Sequence, residues 1–478
     1  MLNLKPALLW KYFEAISAIP RCSGNEKAAG DYVLSVAKAH GLKAERDAIG
    51  NVVVRKPATP GRERVAGLIL QGHLDMVCEK NSDVKHDFTK DPIRLRVDGA
   101  YVKATGTSLG ADNGIAVATA LALIEDREVQ HGPLEMLFTV DEETGLNGAF
   151  GLKPGFVKGK RMLNLDTEEE GAVYVGCAGG RDTLFTLRAK REKNRSRVAA
   201  WKIIIRGLRG GHSGVDIQEQ RGNAARILVR LLSAIQADLP FKLVTLDGGS
   251  KRNAIAREAS AVLHCKDDKS LKTVARRFEA AIKAELGKVD PGLEIAVVKA
   301  KPDFAPFDPK FTAKLLAFCS ALPHGVLKMS QEIPGLVETS TNFAIVATTE
   351  KTVEVATSQR SSVATQIKWA TEMVASVGIL AGAAVKSSSG YPGWKPDLDS
   401  PILKAVIEQH KKHFGTVPAV EAIHAGLECG IIGERYPGMD MVSIGPLQEN
   451  VHSPDERVHI ESVERFYGFL KAILRDLA

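Results

Sequence analysis

No stretch of the 478-residue chain approaches the ~20 uninterrupted apolar residues that a membrane-spanning helix needs. The start, MLNLKPALLWKYFEAISAI, scatters charges through an amphipathic pattern and lacks the apolar block of a signal peptide. Cysteine is sparse: the six residues at 22, 78, 177, 265, 319 and 429 include no CxxC pair. That argues against a zinc ribbon and against a disulfide-stapled secreted fold, and the expectation is reduced, mostly buried thiols in a cytoplasmic protein. Charge of one sign is not in large excess either, since 64 basic against 57 acidic residues leaves only +7. The densest basic run, Arg188 to Arg197, carries no aromatic residue for base stacking, so it reads as a solvated loop and a nucleic-acid partner is not expected. Repeats and low-complexity tracts are also missing.

What is present is the composition of a soluble globular protein, with 44% apolar and 25% charged residues. At roughly 150 residues per domain the length favours two or three compact units. The first third alternates helices and short apolar segments. Ser23 and Glu26 have capping-box spacing ahead of a helical stretch ending near His40, and Asn113 to Asp126 forms a second helical pattern. The segments starting at Val52, Val65, Leu134 and Met162 are apolar on both faces, the mark of strands buried in a central α/β sheet. After Gly179-Gly180 amphipathic strands such as Trp201 to Ile205 alternate with charged helices such as Lys269 to Leu286, which suggests a different domain. From Gly390-Tyr391-Pro392-Gly393 the buried pattern returns. The expected organisation is a discontinuous catalytic domain, 1–184 with 389–478, around an insert at 185–388.

Acidic and histidine residues stand where the apolar strands end. His73-Leu-Asp75 follows the first run, Asp141-Glu142-Glu143 the second and Asp166 the third, while Asp112 opens the helix at 113. In open α/β sheets the carboxyl ends of the strands are where ligands bind. Taken singly, each has a plainer reading. His73 and Asp75 fit a strand-end histidine beside a turn aspartate, Asp112 an N-cap, and 141–143 a solvated acidic turn like Glu168-Glu169-Glu170. His452 fits an ordinary loop histidine. Those readings do not explain why all of them fall at one edge of an apolar sheet. Two histidines with three carboxylates suffice for a co-catalytic metal pair sharing one ligand.

The motifs His73-Leu-Asp75-Met-Val, Leu109-Gly-Ala-Asp112-Asn-Gly, Asp141-Glu142-Glu143-Thr-Gly, Leu165-Asp166-Thr, Gly210-Gly-His212-Ser-Gly, His424-Ala-Gly-Leu-Glu-Cys-Gly430 and His452-Ser-Pro-Asp-Glu resemble the aminoacyl-histidine dipeptidase branch of the M20 metallopeptidases. The resemblance runs from near residue 10 to the C-terminus, in order. Cys78 and Ala256 stand where that family would place proline. The resemblance implies an α/β fold: a phosphorylase/hydrolase-like zinc-peptidase catalytic domain with a central mixed sheet, plus an inserted α+β lid.

It further implies hydrolysis of unblocked dipeptides, with Xaa-His substrates such as carnosine favoured. Two Zn2+ per subunit are implied, Co2+ or Mn2+ being acceptable to the same donors. His73 and Asp166 would hold one ion, Glu143 and His452 the other, and Asp112 would bridge. Glu142 would be the general base, and Asp75 would orient His73. His212 would help to stabilise the oxyanion, arriving from the lid of a partner subunit in a homodimer. Asn253 and Arg360 would receive the substrate's terminal carboxylate, with His424 also lining the substrate site. For His212 the plainer alternative is a tight glycine turn with an incidental histidine, and for Arg360 an exposed strand. Two other functions stay open at this stage: an N-acyl amino acid amidohydrolase of the same fold, and a peptide-binding scaffold, which would be expected to lack a ligand or the base.

Overall fold

The computed structural model describes residues 2–193 and 196–477. The basic run read as a solvated loop includes Asn194 and Arg195, which lie outside the described residues. The chain forms two compact units, one of Met1–Gly176, Trp394–Ala422 and Leu427–Ala478, the other of Cys177–Gly393 with Ile423–Gly426. The contact division runs at 176/177 and 393/394, against the expected 184/185 and 388/389, and it also assigns Ile423–Gly426 to the second unit. Backbone pairing explains the offset. Strand Gly179–Arg188 is laddered along its whole length to Thr352–Ser361, Tyr391 bridges to Gly180, and the Ala178 amide donates to the carbonyls of Ile423 and Ala425.

The first unit is built on an eight-stranded sheet of β1 (Lys43–Arg46), β2 (Val52–Lys56), β3 (Leu68–His73), β4 (Leu134–Thr139), β5 (Arg161–Asn164), β6 (Ala172–Cys177), β7 (Ala419–Ile423) and β8 (Asp440–Ser443). Its order is β1-β2-β4-β3-β5-β8-β6-β7, and the central β4-β3-β5-β8 pairings are parallel while the β1-β2 and β2-β4 pairings are antiparallel. A parallel centre needs both faces covered, and β3 is buried at every position. The helix α1 (Ala111–Glu125) is apolar on all sides and buried from Ala111 to Ile124, packing against β3 and helix Ala7–Ser17, whose Leu9, Trp10, Phe13 and Ile16 are fully buried. A separate four-stranded sheet pairs Tyr101–Ala104 with Arg457–His459, which is in turn paired with Gln448–Glu449.

Three local expectations change. Ser23 does not cap a helix: Glu26 precedes Lys27–Ala39, and the Ser23 hydroxyl donates to Asp75 at 2.8 Å. Asp112 is not an N-cap either. Gly110 stands at the N-cap ahead of α1, and Asp112 leaves helical geometry with φ −78° and ψ 112°. Nor are all the cysteines reduced, since Cys22 and Cys78 form a disulfide, while the other four are buried. A separation of 56 residues carries no local signal for that pairing; it arises because Cys22 lies in a segment that bridges in parallel to Met76.

The second unit is an α+β layer. A nine-stranded sheet, antiparallel in the pairings described, runs from Glu294–Ala300 to Ala384–Ser387 and carries helices that include Ala224–Asp238 and Pro309–Ala321. Its core includes Phe185, Ile203, Leu228, Leu231, Leu263 and Leu315.

Candidate active site

Because β3, β4 and β5 run parallel, their carboxyl ends lie on one edge, and the residues that follow them meet there. His73 ends β3. Its Nε2 lies 3.1 Å from Asp112 Oδ1 and 3.5 Å from Asp166 Oδ1. His452, on the loop between Gln448–Glu449 and Arg457–His459, puts Nε2 3.0 Å from Asp112 Oδ2 and 3.0 Å from Glu143 Oε2. One carboxylate therefore serves two imidazoles, one with each oxygen, and each imidazole has a second carboxylate of its own. The groupings His73/Asp112/Asp166 and Asp112/Glu143/His452 each bring one ligand atom per residue within 4.8 Å of one another.

Several buried groups orient this set. His73 Nδ1 lies 3.3 Å from Asp75 Oδ1. Asp75 also accepts the backbone N–H of Glu142 and of Glu143, both at 3.1 Å, so one carboxylate orients a histidine and aims the acidic turn. Asn113 accepts the His73 N–H at 3.1 Å and donates to the Leu165 carbonyl at 2.9 Å, tying the ends of β3 and β5 to the start of α1. Glu428, on helix α2 (Glu428–Arg435), accepts from Gln71 and Thr139, both at 2.6 Å. Sequence reading left Asn113 and Glu428 without roles although both stand in the motifs, because their partners are far away in the chain.

The electrostatics match an incomplete set of charges. Burial would depress His73, but Asp166, Asp112 and Asp75 hold it well above the usual histidine range. Hydrogen bonds to Asp112 and Glu143 push His452 up to about 11. Burial acts to raise Asp75, yet His73 and the donors around it bring it down to about 2. Burial raises Asp166 to about 6 and also lifts Glu142, which faces the charges of Asp166, Glu428 and Glu143. The buried Glu143 Oε1 has no hydrogen-bond partner, and Asp166 Oδ1 has only the long contact to His73. Buried, weakly satisfied carboxylate oxygens beside imidazole nitrogens fit divalent cations that accept mixed nitrogen and oxygen donors.

The model of peptidase family M20/M25/M40 matches residues 69–476. The chain belongs to that family. It is 42% identical to the cytosol non-specific dipeptidase of Escherichia coli K12 over 99% of this chain and 98% of that protein. The crystal structure of aminoacylhistidine dipeptidase from Vibrio alginolyticus, also 42% identical, superposes with a TM-score of 0.91 over 100% of this chain and 98% of the other. Aminopeptidase PepT from Bacillus cereus, at 16% identity, shares the fold with a TM-score of 0.58 over 99% of each chain.

In this M20 chain the remaining predicted residues gather in the second unit. His212 follows a glycine turn and its strand Gly211–His212 pairs with Ala254–Ile255, which brings the Asn253 carbonyl within 2.8 Å of the Ser213 amide. The Asn253 residue itself is exposed. Arg360 is only 6% exposed, so the exposed-strand reading fails. Its guanidinium reaches His212 Nε2 at 3.2 Å, the Tyr391 hydroxyl at 2.9 Å and Ser213 Oγ at 3.3 Å. Amides of Gly214 and Val215 point at His212 Nδ1, and burial beside Arg360 lowers His212 to about 4, so the ring is neutral near pH 7. His424 Nε2 lies 2.7 Å from Ser340 Oγ, with burial and Arg360 taking it to about 3. A side chain at Gly214 would meet the His424 carbonyl, which explains the glycine. Tyr391 and Ser340 were not singled out as site residues; only the fold brings them to Arg360 and His424.

Proposed function

We propose that this chain is a dinuclear-metal dipeptidase that hydrolyses unblocked dipeptides, Xaa-His favoured. The observation that carries the reading is the division of the Asp112 carboxylate between His73 and His452, each imidazole supplemented by its own carboxylate. The names of its two 42%-identical relatives support the substrate class. His73, Asp166 and Asp112 would hold one ion and Glu143, His452 and Asp112 the other, and we assign both as Zn2+, with Co2+ or Mn2+ compatible with the same donors. Bound divalent ions supply Lewis-acid polarisation of the scissile carbonyl and lower the pKa of water toward neutrality.

In this reading Glu142 is the general base: it accepts a proton from water and hands it to the departing amine, which regenerates the carboxylate. Asp75 keeps Glu142 and His73 in register through the contacts already described. His212 would help to stabilise the developing oxyanion once substrate displaces Arg360 from its Nε2. Asn253 and Arg360 receive the substrate's terminal carboxylate, with the Arg360 fork suited to bidentate pairing, and His424 lines the same site. The insert acts as a lid and dimerisation domain, so the protein is a homodimer, which sedimentation velocity tests. A cytoplasmic setting rests on the first relative's name. A disulfide is uncommon in that compartment, and cell fractionation checks the setting directly.

Elemental analysis with a substrate panel tests the whole reading. Expected are two ions per chain and cleavage of carnosine or Gly-His. Cleavage of an N-acetyl amino acid alone would instead establish the amidohydrolase.

A further inference from the structure

Two buried, oppositely charged side chains that the chemistry above does not use grip the backbone that leads into Asp112. Glu456 is 2% exposed. Its Oε2 accepts the amides of Leu109 at 2.7 Å and Gly110 at 2.9 Å, and its Oε1 those of Ala111 at 2.8 Å and Asp112 at 3.3 Å. Four successive N–H groups thus converge on one carboxylate at the start of α1, where the helix has its unpaired donors and its positive end. Arg21, 1% exposed, works from the other side. It donates to the carbonyls of Leu74 at 3.0 Å and Asp75 at 2.8 Å, and its second guanidinium nitrogen donates to the Gly110 carbonyl. Gly110 has φ +69°, and a Cβ there would lie 2.6 Å from both Arg21 Nη2 and Met76 Sδ, so the clamp needs glycine at that place.

The positions of these groups along the chain carry the consequence. Glu456 is four residues beyond His452, so it ties the loop of His452 to the loop of Asp112. Arg21 ties the loop of Asp112 to the end of β3, where His73 and Asp75 stand. Three of the five segments that carry proposed ligands, 73–75, 109–112 and 452–456, are therefore held together by two side chains that touch no proposed ligand atom. Next to these contacts Asp112 leaves helical geometry, and its two oxygens reach two different imidazoles.

We propose that Arg21 and Glu456 are positioning residues that set the placement of Asp112 between His73 and His452, and through it the affinity of the chain for a pair of divalent cations. The inference rests on the dinuclear reading. It makes metal affinity sensitive to two residues that are not ligands.

The test uses the full chain, stripped of metal and titrated with Co2+ against a competing chelator, with the visible Co2+ spectrum recorded at each step. E456Q has nearly the shape of the native side chain but turns an NH2 group toward two of the four amides. The expected result is an unchanged far-UV spectrum, an altered Co2+ spectrum and a loss of at least ten-fold in affinity for one of the two ions. E456D, which keeps both acceptors, should recover part of that loss. R21K, which keeps the charge but not the fork, should weaken the same step, and it carries the test if E456Q does not fold. Two ions bound by E456Q or R21K with native affinity and spectrum overturn the positioning role alone. Fewer than two ions bound by the native chain overturn the dinuclear reading, and this inference with it.

Discussion

At the scale of single residues, the two glutamates of the acidic turn differ in their neighbours. Glu143 faces His452, while Glu142 is half-buried among other carboxylates and held by its amide to Asp75. Replacing Glu142 with Gln keeps the shape and removes the proton acceptor. Turnover of Gly-His should fall by about 10²–10⁴-fold while two ions stay bound, checked by steady-state kinetics beside elemental analysis. Asp75→Asn should differ, because an NH2 group would face one of the amides it now accepts. We expect it to lose activity and also about 1–3 kcal/mol of stability in urea unfolding, the usual cost of an unpaired buried group. His424 gives a pH prediction whose sign is fixed by burial. Its folded pKa of about 3 lies below the ordinary histidine value of 6.5, so the unfolded chain takes up the proton first as pH falls. Its contribution to stability is complete above pH ~6.5 and declines below that, by about 2 kcal/mol between pH 7 and 5. Urea midpoints of the native chain and H424Q at those two pH values should therefore show a steeper acid loss in the native chain.

Among the elements, periodicity was a good guide wherever local physics decided the outcome. The apolar runs at 52, 134 and 162 are strands, and the pattern from 113 to 126 is a helix, because a stretch that is apolar on all sides must be covered on all sides. The first misreadings share a cause. Ser23 and Asp112 carry good helix-capping side chains, and each gives that role up for a partner far away in the chain, Asp75 in one case and two histidines in the other. The Cys22–Cys78 bridge is long-range in the same sense. Closing a loop with a sequence separation of 56 residues removes enough freedom from the unfolded chain to stabilise the fold by about 4 kcal/mol in the chain-entropy model. The double variant C22S/C78S should unfold at a correspondingly lower denaturant concentration under oxidising conditions. In excess dithiothreitol the native chain should move toward the variant, and equal midpoints without reductant would count against a stabilising bridge.

For the molecule as a whole, the concentration of carboxylates at one edge of the first unit predicts a stability that depends on added divalent cations. Free ions that bind only the folded chain stabilise it by about 4 kcal/mol when present at 1,000 times their dissociation constant. Chelation should abolish hydrolysis and lower the melting temperature together, and adding back Zn2+ or Co2+ should restore both. A calorimetric scan with and without chelator reads this directly. The residues that cluster at this edge were legible in the sequence because strand ends, turns and helix starts have local signatures, and because His73, Asp112, Glu143, Asp166 and His452 stand beside them. The α/β class and the change in character after Gly179-Gly180 were legible for the same reason, since hydrophobic period is a property of neighbours. What only the tertiary structure decided is which distant groups share a carboxylate. The division of Asp112 between two imidazoles, the hold of Asp75 on the Glu142–Glu143 turn, the clamp of Arg21 and Glu456, the burial of Arg360 with Tyr391, and the bridge of Cys22 to Cys78 all join residues far apart in the chain. Their partners are chosen by packing, and packing leaves no local trace in the order of residues.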